Sequence, residues 1–144
     1  MRDVVTSSCS YDIAIVGAGP AGAMLARLLS PRYSIALIDR RTFSDSQNKC
    51  DEKCCGGLLA PDAQRMLAQF GMAIPKSVTA DPQLFAVRTF DTGSKYERIF
   101  QRSYINIDRQ AFDNWLLLAL PSSVSFFKNT TIASITQQRD VSEL

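Results

Sequence analysis

"YDIAIVGAGPAGAMLARLLSPRYSIALIDRR", residues 11–41, decides the fold of this chain. It opens on an apolar run, Ile13 to Val16, too brief for a helix and rich in β-branched residues, as a strand buried in a parallel sheet requires. The run stops at Gly17. Good helix formers follow from Ala21 to Leu29, with Met24, Leu25, Leu28 and Leu29 at helical spacing and Pro31 closing the segment. A second apolar run, Ile35 to Ile38, ends at Asp39. Strand, glycine turn, helix and a strand with an acid at its tip fill about the 30 residues a βαβ unit needs.

Inside the turn, Gly17, Gly19 and Gly22 form the G-x-G-x-x-G pattern. Gly17 permits the tight turn, Gly19 lets a pyrophosphate approach the backbone, and Gly22 lets the helix pack close to the strand. The N–H groups and positive end of that helix then face phosphates. Asp39 stands 22 positions after Gly17, where a carboxylate accepts hydrogen bonds from both hydroxyls of an adenosine ribose and repels a 2′-phosphate. Glycines at this spacing also open helices in other α/β proteins. With the strand, helix and acid in register, the unit reads as a dinucleotide site, which leaves NAD and FAD both open.

The whole chain has 144 residues, 46% of them hydrophobic, enough for one domain with a core or for part of a larger protein. Its net charge is +2 with Lys and Arg scattered, so the long basic surface that nucleic acid demands is absent and no nucleic-acid partner is expected. The first residues, "MRDVVTSSCS", contain no apolar run of signal-peptide length, and no segment approaches the roughly 20 apolar residues of a membrane span. A soluble cytoplasmic protein is the expectation. Histidine is missing altogether, which removes Ser-His-Asp and Cys-His nucleophiles.

"NKCDEKCCGGLLAP", residues 48–61, concentrates three of the four cysteines: Cys50, Cys54 and Cys55. Thiols so crowded suit a metal, a disulfide or the neighbourhood of a cofactor. A reducing compartment argues against the disulfide. Structural zinc takes C-x₂₋₄-C pairs with a second pair or a His elsewhere, whereas here the only distant Cys is Cys9 and Cys54 adjoins Cys55, so no metal site is expected.

The chain reads as four stretches. Residues 11–40 are the nucleotide βαβ unit. Residues 41–75 hold an aperiodic loop to Gly57 and then a short helix opened by Pro61, with Ala63, Met66, Leu67 and Phe70 on one face and Gly71 as its stop. Residues 84–108 hold a hairpin, "LFAVRTF" and "YERIF" around "DTGS", and a further strand in "SYINIDR". Residues 109–135 hold a helix from Arg109 to Leu120, capped by Asp108, ended by Pro121 and burying Phe112, Trp115, Leu116 and Ala119. Strands "VSFF" and "TTIASI" flank Asn129 at its end.

Residues 11–41, with Pro20 after the second glycine and Arg40 after the acid, closely resemble the N-terminus of FAD-dependent oxidoreductases of the para-hydroxybenzoate hydroxylase type. The resemblance implies FAD, with Gly17, Gly19, Pro20, Ala21, Gly22, Asp39 and Arg40 on its ADP half. "KCCGGLLAPDAQRML" and "YINIDRQAFDNWLL" resemble the K-x-C-G-G and R-x-x-F-D-x-W-L segments of the geranylgeranyl reductase branch of that group. Members of that branch saturate isolated double bonds of prenyl chains with a reduced flavin. Carried over, the resemblance runs Cys55, Gly56 and Gly57 along the flavin, with Cys55 as the catalytic thiol. It places Arg109 on the phosphate or ribityl region, and the backbone near Thr131, in the strand after the helix, against adenine.

The fold expected is therefore α/β, a Rossmann-like FAD-binding parallel sheet with an inserted hairpin and strand region, incomplete as it stands. Its parallel strands, 13–16, 35–38 and 124–127, lie to one side of the first, leaving an apolar edge open. A Gly-Asp segment for the ribityl and phosphate groups has no counterpart here. The chain is expected to be the N-terminal part of a flavoenzyme. Its partners would be an apolar small-molecule substrate, a reductant for the flavin, peripheral contact with a membrane surface and, in a split protein, a separately encoded C-terminal portion. An FAD-dependent monooxygenase or halogenase of the same fold is the second reading, and a chain without independent activity the third.

Overall fold

A computed structural model describes residues 9–41, 55–138 and 141–143. In chain order its elements are β1 (Ile13–Val16), α1 (Pro20–Leu29), β2 (Ile35–Ile38), β3 (Leu58–Leu59), α2 (Pro61–Gln69), β4 (Ala86–Asp91), β5 (Tyr96–Gln101), β6 (Ile105–Asn106), α3 (Arg109–Leu118), β7 (Val124–Phe127), β8 (Thr136–Gln138) and β9 (Val141–Glu143). The chain divides into two compact units, Met1–Asp51 with Leu116–Leu144, and Glu52–Trp115.

The first unit is built on a parallel sheet in the order β1-β2-β7, with Ile13 beside Ile35 and Ile35 beside Val124. β2 is covered on both faces, as its unbroken apolar sequence demands. Ile15, Ala18, Ala26, Ile35 and Leu37 form the core, with Ile13, Leu29, Leu117, Leu120, Val124 and Phe126 packed against them. Ile35 and Leu37 are fully buried, each contributing about 1.5–3 kcal/mol through area removed from water.

The face α1 turns inward differs from the stripe of large residues expected. Ala23 and Ala26 are buried, while Leu25 and Leu28 stay about half exposed. Close packing at Gly22, where a Cβ would run into the carbonyl oxygen of Gly17, brings the start of the helix near β1, where small side chains fit, and Leu29 packs against the core from its far end. Beyond β7, the predicted strand "TTIASI" is irregular, and Thr131 lies in exposed coil. Asn129 takes a left-handed φ of 51°, its N–H donates to the Arg41 carbonyl at 3.0 Å, and the Thr130 N–H donates to the Asp39 carbonyl at 3.0 Å. These bonds take the backbone out of the ladder, and pairing resumes only in β8 with β9.

In the second unit β3 pairs antiparallel with β6, extended by a bridge between Thr79 and Ile107. The predicted strand "SYINIDR" shortens to this segment, tied further by the Asp108 N–H on the Val78 carbonyl at 2.9 Å. Asp108 then caps α3, its Oδ1 accepting from the Ala111 N–H at 2.8 Å. β4 and β5 pair from Ala86 and Gln101 to Asp91 and Tyr96, every residue exposed. Their turn is closed by Asp91, which accepts from the Gly93 N–H at 2.9 Å and the Ser94 hydroxyl at 2.6 Å.

Candidate functional site

In the first unit the glycine turn is formed as its residues require. Gly17 has φ +102, a conformation closed to most L side chains, and donates its N–H to the Ile38 carbonyl at 2.7 Å. Among the described residues, its chain neighbours aside, no heavy atom lies within 4 Å of where its Cβ would stand, so they leave space open over the turn. Gly19 is the extended N-cap of α1, with Pro20 opening the helix, Ala21 exposed, and the Ala23 N–H on the Gly19 carbonyl at 2.9 Å.

Asp39, at the tip of β2, is 7% exposed. Its Oδ2 accepts from the Ala18 N–H at 2.7 Å and from Arg41 Nη2 at 3.0 Å. Its Oδ1 accepts from the Arg41 N–H at 2.8 Å and from Arg41 Nε at 3.0 Å. Burial alone would raise its pKa. The side-chain and backbone hydrogen bonds of Arg41, then the Ala18 N–H, outweigh it and bring the carboxyl down to about 2. Arg40 is exposed, and it is Arg41 that holds the acid. Nothing in "DRR" distinguishes the two arginines. Thr131 stands four residues past the end of β7 in coil rather than in a strand, a correction to the placement the resemblance implied.

The second unit carries the thiol. Cys55 is exposed, and its sulfur accepts from Arg109 Nη1 at 3.5 Å. Arg109 in turn donates Nε to Asp113 Oδ1 at 2.7 Å, one helical turn on. The Gly57 N–H and then the Arg109 guanidinium hold the Cys55 thiol below its ordinary pKa. Gly57 is buried with φ +64, and its carbonyl accepts the Ile107 N–H at 2.7 Å, whereas Gly56 is exposed with open space around it. Arg109 was expected on FAD phosphate or ribityl oxygens; its donors here go to Asp113 and Cys55. Sequence reasoning assigned no role to Asp113, a buried carboxylate. Its signal was the i, i+4 spacing from Arg109.

Lys53, Cys50 and Cys54 lie outside the described residues. Among the described residues no group of three or more His, Cys, Asp or Glu side chains is placed to hold a metal ion. No helix among them is long and apolar enough to cross a membrane.

A parallel βαβ unit with a glycine turn and an anionic strand-end acid defines a dinucleotide-binding α/β protein. Residues 10–129 match the FAD binding domain family, and the chain belongs to that family. FAD is thus its cofactor. Protein CbrA of Escherichia coli strain K12 and Protein CbrA of Shigella sonnei strain Ss046 are each 41% identical over 130 residues, covering 90% of this chain. The chain spans 36% of the length of these relatives.

Among solved structures, PqsL from Pseudomonas aeruginosa, described as a probable FAD-dependent monooxygenase, superposes with a TM-score of 0.67 at 18% identity, over 90% of this chain and 35% of its own. Halogenase PltM in complex with phloroglucinol and FAD gives 0.62 at 16% identity, over 92% and 30%. The 2,6-dihydroxypyridine-3-hydroxylase of Arthrobacter nicotinovorans gives 0.60 at 15% identity, over 94% and 33%. At these identities the likeness establishes the fold, the α/β FAD-binding architecture expected from the sequence.

The residues present fit FAD. Gly17 leaves room over the turn, Gly22 seats the helix beneath it, and Asp39 is an anion at the strand tip. Gly17, Gly19, Pro20, Ala21 and Gly22 would hold the diphosphate side, and Asp39 the adenosine ribose.

Proposed function

We propose that the whole protein of which this chain forms the FAD-binding part is an FAD-dependent oxidoreductase of the monooxygenase and halogenase type, acting on a small, largely apolar molecule in the cytoplasm. The observation that carries this reading is the FAD-binding fold of residues 10–129, shared with proteins named as a monooxygenase, a halogenase and a hydroxylase. When bound, the flavin supplies two-electron redox chemistry, and this chain's residues bind and orient it. In a monooxygenation one atom of O₂ enters the substrate and the other leaves as water, two electrons coming from an external reductant.

A second reading, reduction of an isoprenoid double bond, is favoured by one feature. Cys55 presents an exposed thiol in a Cys-Gly-Gly loop with Arg109 on its sulfur, an arrangement that hydroxylation does not require. Turnover by the complete protein with reduced flavin separates the two. Incorporation of labelled oxygen from O₂ into product supports the monooxygenase, and saturation of a prenyl lipid under strict exclusion of oxygen overturns it in favour of the reductase.

A further inference from the structure

A carboxylate offers about four acceptor positions, two on each oxygen. On Asp39 all are taken: each oxygen has one backbone N–H, from Ala18 or Arg41, and one guanidinium donor from Arg41. The two backbone donors belong to the fold, since the Arg41 carbonyl is itself pinned by the Asn129 N–H at 3.0 Å. The two guanidinium donors sit on a side chain, whose rotation withdraws them without moving the backbone. They present one N–H to each oxygen from a planar fork, the same pattern that two vicinal ribose hydroxyls would present to the same pair of oxygens.

We propose that the Arg41 guanidinium competes with the adenosine ribose for Asp39, filling the two acceptor positions that the vicinal hydroxyls take, so that nucleotide affinity is set by how readily Arg41 lets go. Arg41 is thereby a specificity-determining residue of the FAD site, and the inference rests on Asp39 being the ribose acceptor. Its side chain is only 17% exposed, so the fork is held by its surroundings as well as by charge. The apparent dissociation constant is the intrinsic one divided by the fraction of molecules in which the fork has opened.

Titration calorimetry of the full chain with ADP tests this, with adenosine beside it as a ligand that carries no phosphate charge for the Arg41 cation to attract. With the fork closed in nine molecules of ten, Arg41→Met should bind ADP about tenfold more tightly than wild type. Arg41→Lys, with one ammonium in place of a fork, should fall between and decides the matter if the Met variant does not fold. An affinity equal to or weaker than wild type in the folded variant overturns the competition. Asp39→Asn separates the two premises: it should weaken ADP binding, and unchanged binding would show instead that the ribose assignment is wrong.

Discussion

The Arg109 guanidinium donates to the Cys55 sulfur at 3.5 Å, joining two residues 54 positions apart in the sequence. Asp113 holds the other side of the same fork at 2.7 Å, so the cation is aimed at the thiol by a buried carboxylate. A cation so placed favours the thiolate, the form that reacts.

Alkylation measures this directly. In a chain with Cys9, Cys50 and Cys54 replaced by Ser, the rate of Cys55 with iodoacetamide should rise with pH about a midpoint below the ordinary thiol value. Arg109→Met removes a donor and a charge, moving the midpoint up and slowing the reaction at neutral pH roughly threefold to tenfold. A midpoint that stays put would show that the contact does not act on the thiol.

Asp39 predicts a specific acid sensitivity. Its folded pKa, about 2, lies below the ordinary 3.8, so its contribution is fully present above the unfolded value and is lost as pH falls through the folded one. The shift corresponds to about 2 kcal/mol at neutral pH. Urea midpoints of wild type and Asp39→Asn should therefore differ at pH 7 and converge towards pH 2. A gap independent of pH would assign the loss to packing instead of charge.

How much of this was legible in the sequence follows from what each feature depends on. β1, α1 and β2 were readable because Gly17, the run Ile35 to Ile38 and Pro31 act through local backbone physics. The β4–β5 hairpin was readable because "DTGS" makes its own turn. Which face of α1 packs was not, since it follows from the depth at which Gly22 lets the helix settle on Gly17. Nor was the break after β7, where Thr130 bonds back to Asp39 across the sheet. At the site, the backbone residues of the turn followed from the pattern, while the partners of Asp39 and Arg109 are choices between similar side chains that only the folded geometry makes.

Gly22 supplies a test of that packing. Gly22→Ala places a methyl against the Gly17 carbonyl, a backbone atom with no freedom to move aside, so α1 must lift from the sheet. A loss of about 1–3 kcal/mol in chemical denaturation is expected, as for other overpacked sites. ADP affinity should fall with it, because the turn and helix move together; a variant of wild-type stability would contradict the close approach described.

Gly56 and Gly57 make a paired experiment, because they are adjacent and differ in the two respects that matter. Gly57 has φ +64, and a Cβ there would meet the Ile107 carbonyl, whereas Gly56 has open space. Alanine at Gly57 therefore incurs both backbone strain and a clash, about 1–3 kcal/mol, and disturbs the strand pairing that its own carbonyl makes with the Ile107 N–H at 2.7 Å. Alanine at Gly56 should leave stability within about 0.5 kcal/mol of wild type. The Gly57 N–H is also the leading influence that lowers the Cys55 pKa, so Gly57→Ala should raise the midpoint for alkylation while Gly56→Ala leaves it in place. Equal effects from the two alanines, on stability or on the thiol, would mean that the loop does not hold Cys55 through Gly57.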